Sequence, residues 1–422
     1  MPPVTPMRSS PLRRVLCLAA AVAVVATSPG HASGASPPET IGVFRGAVGV
    51  SAVQEWESWL ESPAHRVLDY LARESWQKIE SPDWWVRGWA ASPYRHRVVY
   101  SVPMLPDTPS TLAAGARGEY DAHFERLARL LVAHGQGGAT IRLGWEFNGD
   151  WYRWNAAVNP DAFVAYWRRV VTAMRRQPGA AFRFDWCPNL GRGTVAPDRV
   201  YPGDAYVDFV GADVYDHSWT SARPDPWLRW NELMEQPYGL RWHRDFARAH
   251  GKPMSFPEWG VVASANGGGD SPEFIRLMHD WIAANDVAYA IYFEEDLATA
   301  SIRLMTGGFP RAAAEFRRLF GPQAPIGPTT PATAPSGSST PAAGSDGRGS
   351  RTSDRQRRAR RKAARRKAAR RRAARRKAAR HESGRRGGDR TAARRRADRR
   401  WSGWHGAGEW PAAERGAPNR GR

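Results

Sequence analysis

Residues 140–154 read TIRLGWEFNGDWYRW, and this stretch decides the fold class. A short run rich in apolar and β-branched residues, Thr140 to Trp145, reads as a strand that stops at a carboxylate, Glu146. An aromatic-rich loop follows. Asn159-Pro160 then opens a helical pattern to Arg176, with a capping residue followed by proline at the first helical position. Strand, loop, helix is one βα unit. Working outward, the same alternation predicts strands at Ile41 to Phe44, Arg66 to Tyr70, Arg97 to Val102, Phe182 to Pro188, Val207 to Val214, Met254 to Glu258 and Ala288 to Phe293. Tyr120 to His134 and Pro272 to Asn285 are the other clear helices. Eight strands at roughly 35 residues per unit fit an α/β fold of the (β/α)8 TIM-barrel type. A doubly wound sheet is the alternative, but Gly42, Gly46 and Gly49 do not have dinucleotide-loop spacing after the first strand.

The ends differ from this core. Of the 422 residues, 62 are Lys or Arg and 41 are Asp or Glu, a net charge of +21. Residues 346–422 hold 29 of the basic and only 7 of the acidic ones, so residues 1–345 are near neutral. A uniformly basic nucleic-acid-binding fold is excluded. Arg13-Arg14, the apolar run Val15 to Ala26 and the small residues near Ala32 have the order of a secretory signal peptide, assigned to residues 1–35. A run of about a dozen residues is too short to span a bilayer, and no transmembrane segment is expected. Cys17 lies within this leader, leaving Cys187 without an internal disulfide partner. The barrel is expected over 36–321. A Pro/Thr/Ser/Gly-rich disordered linker is assigned to 322–350, an Arg/Lys/Ala-rich basic tail with repeated ARRKA pentads to 351–400, and a disordered C-terminus to 401–422. A pentad step of about 140° spreads charge around any helix, so the tail is expected to bind anionic wall polymers or other polyanions, or to be a tolerated appendage.

In such a barrel, reactive groups sit at the C-terminal strand ends. Glu146 closes the fourth strand and Glu258 the seventh, in KPMSFPEWGV at residues 252–261. Either glutamate alone reads more simply as a solvated loop residue. Together, flanked by aromatics on strands that face part of the same mouth, they suggest a pair of glycosidase carboxyls. Seventeen of the 20 tryptophans lie between Trp56 and Trp281. Trp167 and Trp281 read as helix packing. The clusters Trp84-Trp85-Trp89, Trp151-Trp154, Trp219 and Trp227-Trp230 follow strands, where exposed rings suit the C–H faces of sugars.

On these residues the chain resembles glycoside hydrolase family 26, the β-mannanase-like family of the retaining clan A. Glu146-Phe147-Asn148-Gly149-Asp150-Trp151-Tyr152-Arg153-Trp154 is similar to its acid/base segment, and Pro257-Glu258-Trp259-Gly260 to its nucleophile strand. Trp186-Cys187-Pro188-Asn189 and Gly211-Ala212-Asp213-Val214-Tyr215 add support. The resemblance implies that Glu146 is the acid/base and Glu258 the nucleophile. It implies substrate contacts from Trp145, Asn148, Trp151, Trp154, Asn189, Tyr215, Trp259 and Tyr292, with Tyr215 holding the nucleophile. Trp145 stands where mannanases of the family carry His, and Tyr292 or Phe293 stands where they carry Trp. The expected protein is a secreted, monomeric, retaining endo-β-glycanase acting on β-1,4-mannan or related β-glycans, and retained at the cell wall through its tail. No cofactor is expected, and no metal, since His65, His96, His123 and His134 lack partners at ligand spacing. The alternatives are a noncatalytic polysaccharide-binding barrel and a surface protein anchored by the tail to polyanions.

Overall fold

A computed structural model describes residues 40–218, 224–297 and 300–322. The expected leader, linker, basic tail and C-terminus fall almost entirely outside these residues. Nine short strands alternate with helices: β1 Ile41–Phe44, β2 Arg66–Tyr70, β3 Val98–Val102, β4 Thr140–Leu143, β5 Arg183–Trp186, β6 Phe209–Gly211, β7 Val214–Tyr215, β8 Met254–Gly260 and β9 Val287–Phe293. All their pairings are parallel. The order β6-β5-β4-β3-β2-β1-β9-β8-β7 closes through β6 with β8, where Val210 faces Met254. β6 and β7 are two pieces of one stave, both paired to β8, so the sheet is an eight-stave closed barrel. The expected (β/α)8 fold is therefore present, with the expected sixth strand interrupted at Ala212-Asp213.

The helices are α1 Val50–Leu60, α2 Trp76–Glu80, α3 Asp83–Ala90, α4 Leu112–Ala116, α5 Asp121–Ala133, α6 Pro160–Arg175, α7 Pro226–Glu235, α8 Leu240–Ala249, α9 Pro272–Ala284 and α10 Pro310–Phe320. Local chemistry starts several of them. The Asn159 side chain accepts from Ala162 N at 3.1 Å before Pro160, Asp225 accepts from Trp227 N at 2.9 Å, and Ser271 from Phe274 N at 3.3 Å. Each cap satisfies an amide that the helix itself leaves unpaired.

Between sheet and helices lies an apolar layer. Trp167 of α6 packs edge-on against Phe184 of β5, and Trp259 of β8 stacks on Phe316 of α10. Inside the barrel the side chains are partly polar. Asp185 of β5 accepts from Ser255 of β8 and Tyr289 of β9, and burial pushes its carboxyl up to about 6 against those two donors. Among the described residues no helix is long and apolar enough to cross a membrane.

Candidate active site

The site forms where β4, β5, β7 and β8 end. Strand alternation sends Arg142 of β4 inward, fully buried, and four residues later the chain delivers Glu146 to the mouth. The turn between them is strained. Gly144 has φ +53°, where a Cβ would meet Met104 Sδ at 2.4 Å, and Glu146 itself has φ +51°. A non-glycine residue in the left-handed region costs about 1–3 kcal/mol and persists only where the surroundings fix it. Here Glu146 N donates to Cys187 O at 2.8 Å, Gly149 N to Glu146 O at 2.9 Å, and Ala156 N to Phe147 O at 2.8 Å. The first ties the turn to the end of β5, and the other two close the loop on itself.

Glu258 is held by one guanidinium and two phenol hydroxyls. Its Oε1 accepts from Arg142 Nη1 at 2.7 Å and from the Tyr70 hydroxyl, and its Oε2 from the Tyr215 hydroxyl at 3.1 Å. Arg142 reaches further, to Tyr70 Oη and Ser101 Oγ at 3.1 Å each and to Asp213 through Nη2. Burial works against the guanidinium charge, but Asp213, Cys187 and Glu258 outweigh it and raise Arg142 well above its ordinary value. Burial pushes the Asp213 carboxyl up, Arg142 pulls it down, and Glu258 and Glu146 add to the rise. One cation thus serves two buried carboxyls.

Glu146 has neutral donors. Its Oε2 accepts from Trp151 Nε1 at 2.8 Å and its Oε1 from Asn189 Nδ2. Asn189 is set in turn by Asn148, whose Oδ1 accepts from Asn189 N at 2.9 Å while Nδ2 donates to Asn189 O at 2.8 Å and Gly191 O at 3.0 Å. The two glutamates occupy one electrostatic neighbourhood. Tyr152 and Tyr215 are raised well above the usual phenol range, by burial first and then by negative charge from both Glu146 and Glu258.

The expected contact residues divide. Asn189, Tyr215 and Trp151 touch the glutamates directly. Trp145 lies behind them, its indole donating to Tyr152 Oη at 2.9 Å, its ring edge-on to Tyr70 and under the Arg142 guanidinium. Four expectations are corrected. Asn148 uses both ends of its amide on the 189–191 backbone, so it shapes the loop instead of meeting a sugar. Trp154 is fully buried beneath Tyr152, stacked at 4.5 Å, with its indole on Trp145 O. Trp259 and Tyr292 are fully buried in the sheet–helix layer against Phe316, because each follows or precedes an inward-facing residue by one position. On β9 it is Phe293 that faces the mouth, beside Phe44, Tyr70 and Tyr215. Of the other tryptophans, Trp84 and Trp227 are about half exposed, at 52% and 55%, while Trp89 is buried with its indole on Asp69. Trp219 lies outside the described residues.

Sequence reading missed Arg142, Tyr70 and Tyr152. Arg142 had a signal, an arginine inside the apolar strand TIRL, where only a paired charge is tolerated. Tyr70 closes β2 as Glu146 follows β4, but tyrosine is ordinary in strands and gave none. Among the described residues no three His, Cys, Asp or Glu side chains gather as a metal site.

The family model for glycosyl hydrolase family 26 matches residues 137–226, which include Glu146, Asn189 and Tyr215. Endoglucanase H of Acetivibrio thermocellus is 27% identical over 247 residues, covering 56% of this chain and 26% of that protein. The chain thus spans about a quarter of that relative's length. Among solved structures, the catalytic domain of a family 26 endo-β-1,4-mannanase from Bacillus sp. JAMB-750 aligns with a TM-score of 0.51 at 16% identity, over 69% of this chain and 92% of that one. At that identity the likeness bears on the fold.

Proposed function

As the chain belongs to glycosyl hydrolase family 26, we propose that it is a secreted, monomeric, retaining endo-β-glycanase that cleaves β-1,4-mannan or a related β-glycan by double displacement. One observation carries this reading: two buried glutamates at strand ends act on the same tyrosines, one held by a cation and two hydroxyls, the other by neutral N–H groups. Such unequal surroundings suit two carboxyls with different tasks.

In the first step Glu258 attacks the anomeric carbon. Its Oε1 takes two donors and its Oε2 one, which favours Oε2 as the attacking atom. As the glycosidic C–O bond breaks, Glu146 gives its proton to the departing oxygen, leaving a glycosyl ester on Glu258. Water then attacks the same carbon and yields its proton to Glu146, and Glu258 leaves as a carboxylate. Arg142 and Tyr70 receive the returning charge with their bonds already formed, so little reorganisation is needed.

The test is reducing-sugar release by the chain and by its Glu258→Ala variant on mannan, glucomannan, mixed-linkage glucan and xylan. The panel includes glucan because the 27% identical relative is named an endoglucanase. Release from one polymer that vanishes in the variant supports the proposal and names the substrate. Binding without release from any polymer would favour the noncatalytic barrel. The basic tail is proposed to retain the enzyme on anionic wall polymers, since 29 of its residues from 346 onward are Lys or Arg. Retention should be released by salt, as its long-range attraction is screened within about 8 Å at physiological ionic strength. Truncation after Gly321 that leaves low-salt wall binding unchanged would refute it.

A further inference from the structure

The connection between α7 and α8 and the start of α8 carry features that the carboxyl pair does not use. A groove of about 450 Å³ opens there, lined by Asp198, Gln236, Tyr238, Arg241 and Trp242 among others. Tyr238 and Trp242 are half-buried and meet edge to face, ring centroids 4.9 Å apart, and Trp242 is backed by Phe246. Tyr238 has φ +61°, a left-handed backbone that a bulky residue rarely adopts. A strained tyrosine at an open groove is an outlier from which a functional role is reasonably inferred.

The polar rim points to a particular ligand chemistry. Gln236 Nε2 is buried and has no hydrogen-bond partner among the described residues, an arrangement native chains rarely leave standing. Glu235 and Arg241 pair at 2.7 Å beside it, and the Tyr238 phenol is raised by burial first and then by Asp198. Two aromatic rings with amide, carboxylate and guanidinium groups around them match a pyranose, which has apolar C–H faces and hydroxyl edges.

The wall of the groove is hydrogen-bonded to the loop that carries Asn189. Gly191 N donates to Tyr238 O at 2.9 Å, and Gly191 O accepts from the Asn148 amide that also sets Asn189 against Glu146. From Asn189 to Gly191 the chain covers at most about 7 Å. The loop from Asn189 to Gly191 thus joins the groove to Glu146, the group read above as protonating the leaving oxygen.

We propose that the Tyr238–Trp242 groove is a distal subsite that binds sugar units of the polysaccharide on the leaving-group side of the scissile bond. This rests on the glycanase reading above. The experiment uses the full chain carrying Glu258→Gln, with and without Tyr238→Gly, titrated with β-1,4-mannohexaose and mannobiose. Glycine suits the left-handed backbone and keeps the carbonyl that Gly191 needs, so the variant removes the ring alone. Mannohexaose affinity should fall about tenfold relative to mannobiose affinity, and Gln236→Met should lower the same ratio. An unchanged ratio would overturn the subsite. An equal loss for both ligands would also overturn it, because Tyr238 would then act through Gly191 and Asn189 on the central site. If the parent Glu258→Gln chain binds neither sugar but retains another β-glycan, the mannan reading fails first, and the same ratio is read with that glycan's oligosaccharides.

Discussion

Replacing Arg142 by Met should test how the site is held, because one guanidinium answers two buried carboxyls. Asp213 is 1% exposed and Glu258 4%, and the Arg142 side chain is wholly enclosed. Met fills similar volume but removes the charge and the donors to Glu258, Asp213, Tyr70 and Ser101. Breaking a buried pair by removing one partner costs about 3–5 kcal/mol, since the other charge is stranded. For a domain of this size that lowers the melting temperature by roughly 10 °C. The loss should shrink at lower pH. Without Arg142 the Asp213 carboxyl, already raised by burial, binds its proton more tightly in the native state than in the unfolded one, so acid stabilises the variant. Urea denaturation at pH 7 and pH 5, followed by tryptophan fluorescence, measures both effects. Arg142→Met with Asp213→Asn should regain part of the loss. A single variant within about 1 kcal/mol of the parent at pH 7, or one that acid destabilises further relative to the parent, would refute this account of the triad.

Three further outcomes are expected. Burial raises Asp69 to about 7 from 3.8, despite donors from Val48 N, Trp89 and Tyr70 N. Native chain then keeps a proton that unfolded chain releases as pH rises from about 4 to 7, so this group's contribution to stability falls over that window; Asp69→Asn should flatten the fall in urea midpoint. Trp151→Phe keeps an aromatic ring and removes the indole donor to Glu146 Oε2, so kcat on polymer should drop about tenfold, the worth of one hydrogen bond. Glu146→Ala should abolish polymer cleavage yet spare glycosylation by aryl glycosides whose leaving groups need no proton, seen as a pre-steady-state burst of phenolate.

The barrel was legible because its signals are local and repeat. TIRLGWE, KPMSFPEWG and Asn159-Pro160 each state where a strand or helix begins or ends, and the eight predicted strands fall on the eight staves to within a few residues. The break at Ala212-Asp213 was not legible, since it arises from β8 pairing first with β6 and then with β7. In the site, the residue types were readable but their facing was not. Glu258 and Trp259 are neighbours in sequence, yet one turns into the barrel and the other to α10, so a motif alone assigns both to the same cleft. Facing depends on register, which strand pairing sets. Tyr70 and Arg142 reach Glu258 across 188 and 116 positions of chain, contacts that no local pattern encodes.

The central claim is that Glu258 forms the glycosyl ester. It is tested most directly by incubating the chain with a 2-deoxy-2-fluoro-β-mannoside bearing an activated leaving group, then digesting it and locating the labelled peptide by mass spectrometry. Fluorine slows both steps by destabilising the positive charge at the anomeric carbon, so the ester accumulates. The account predicts one sugar per chain, attached at Glu258. A label on Glu146 or another residue, or leaving-group release that continues with no covalent sugar, would contradict it.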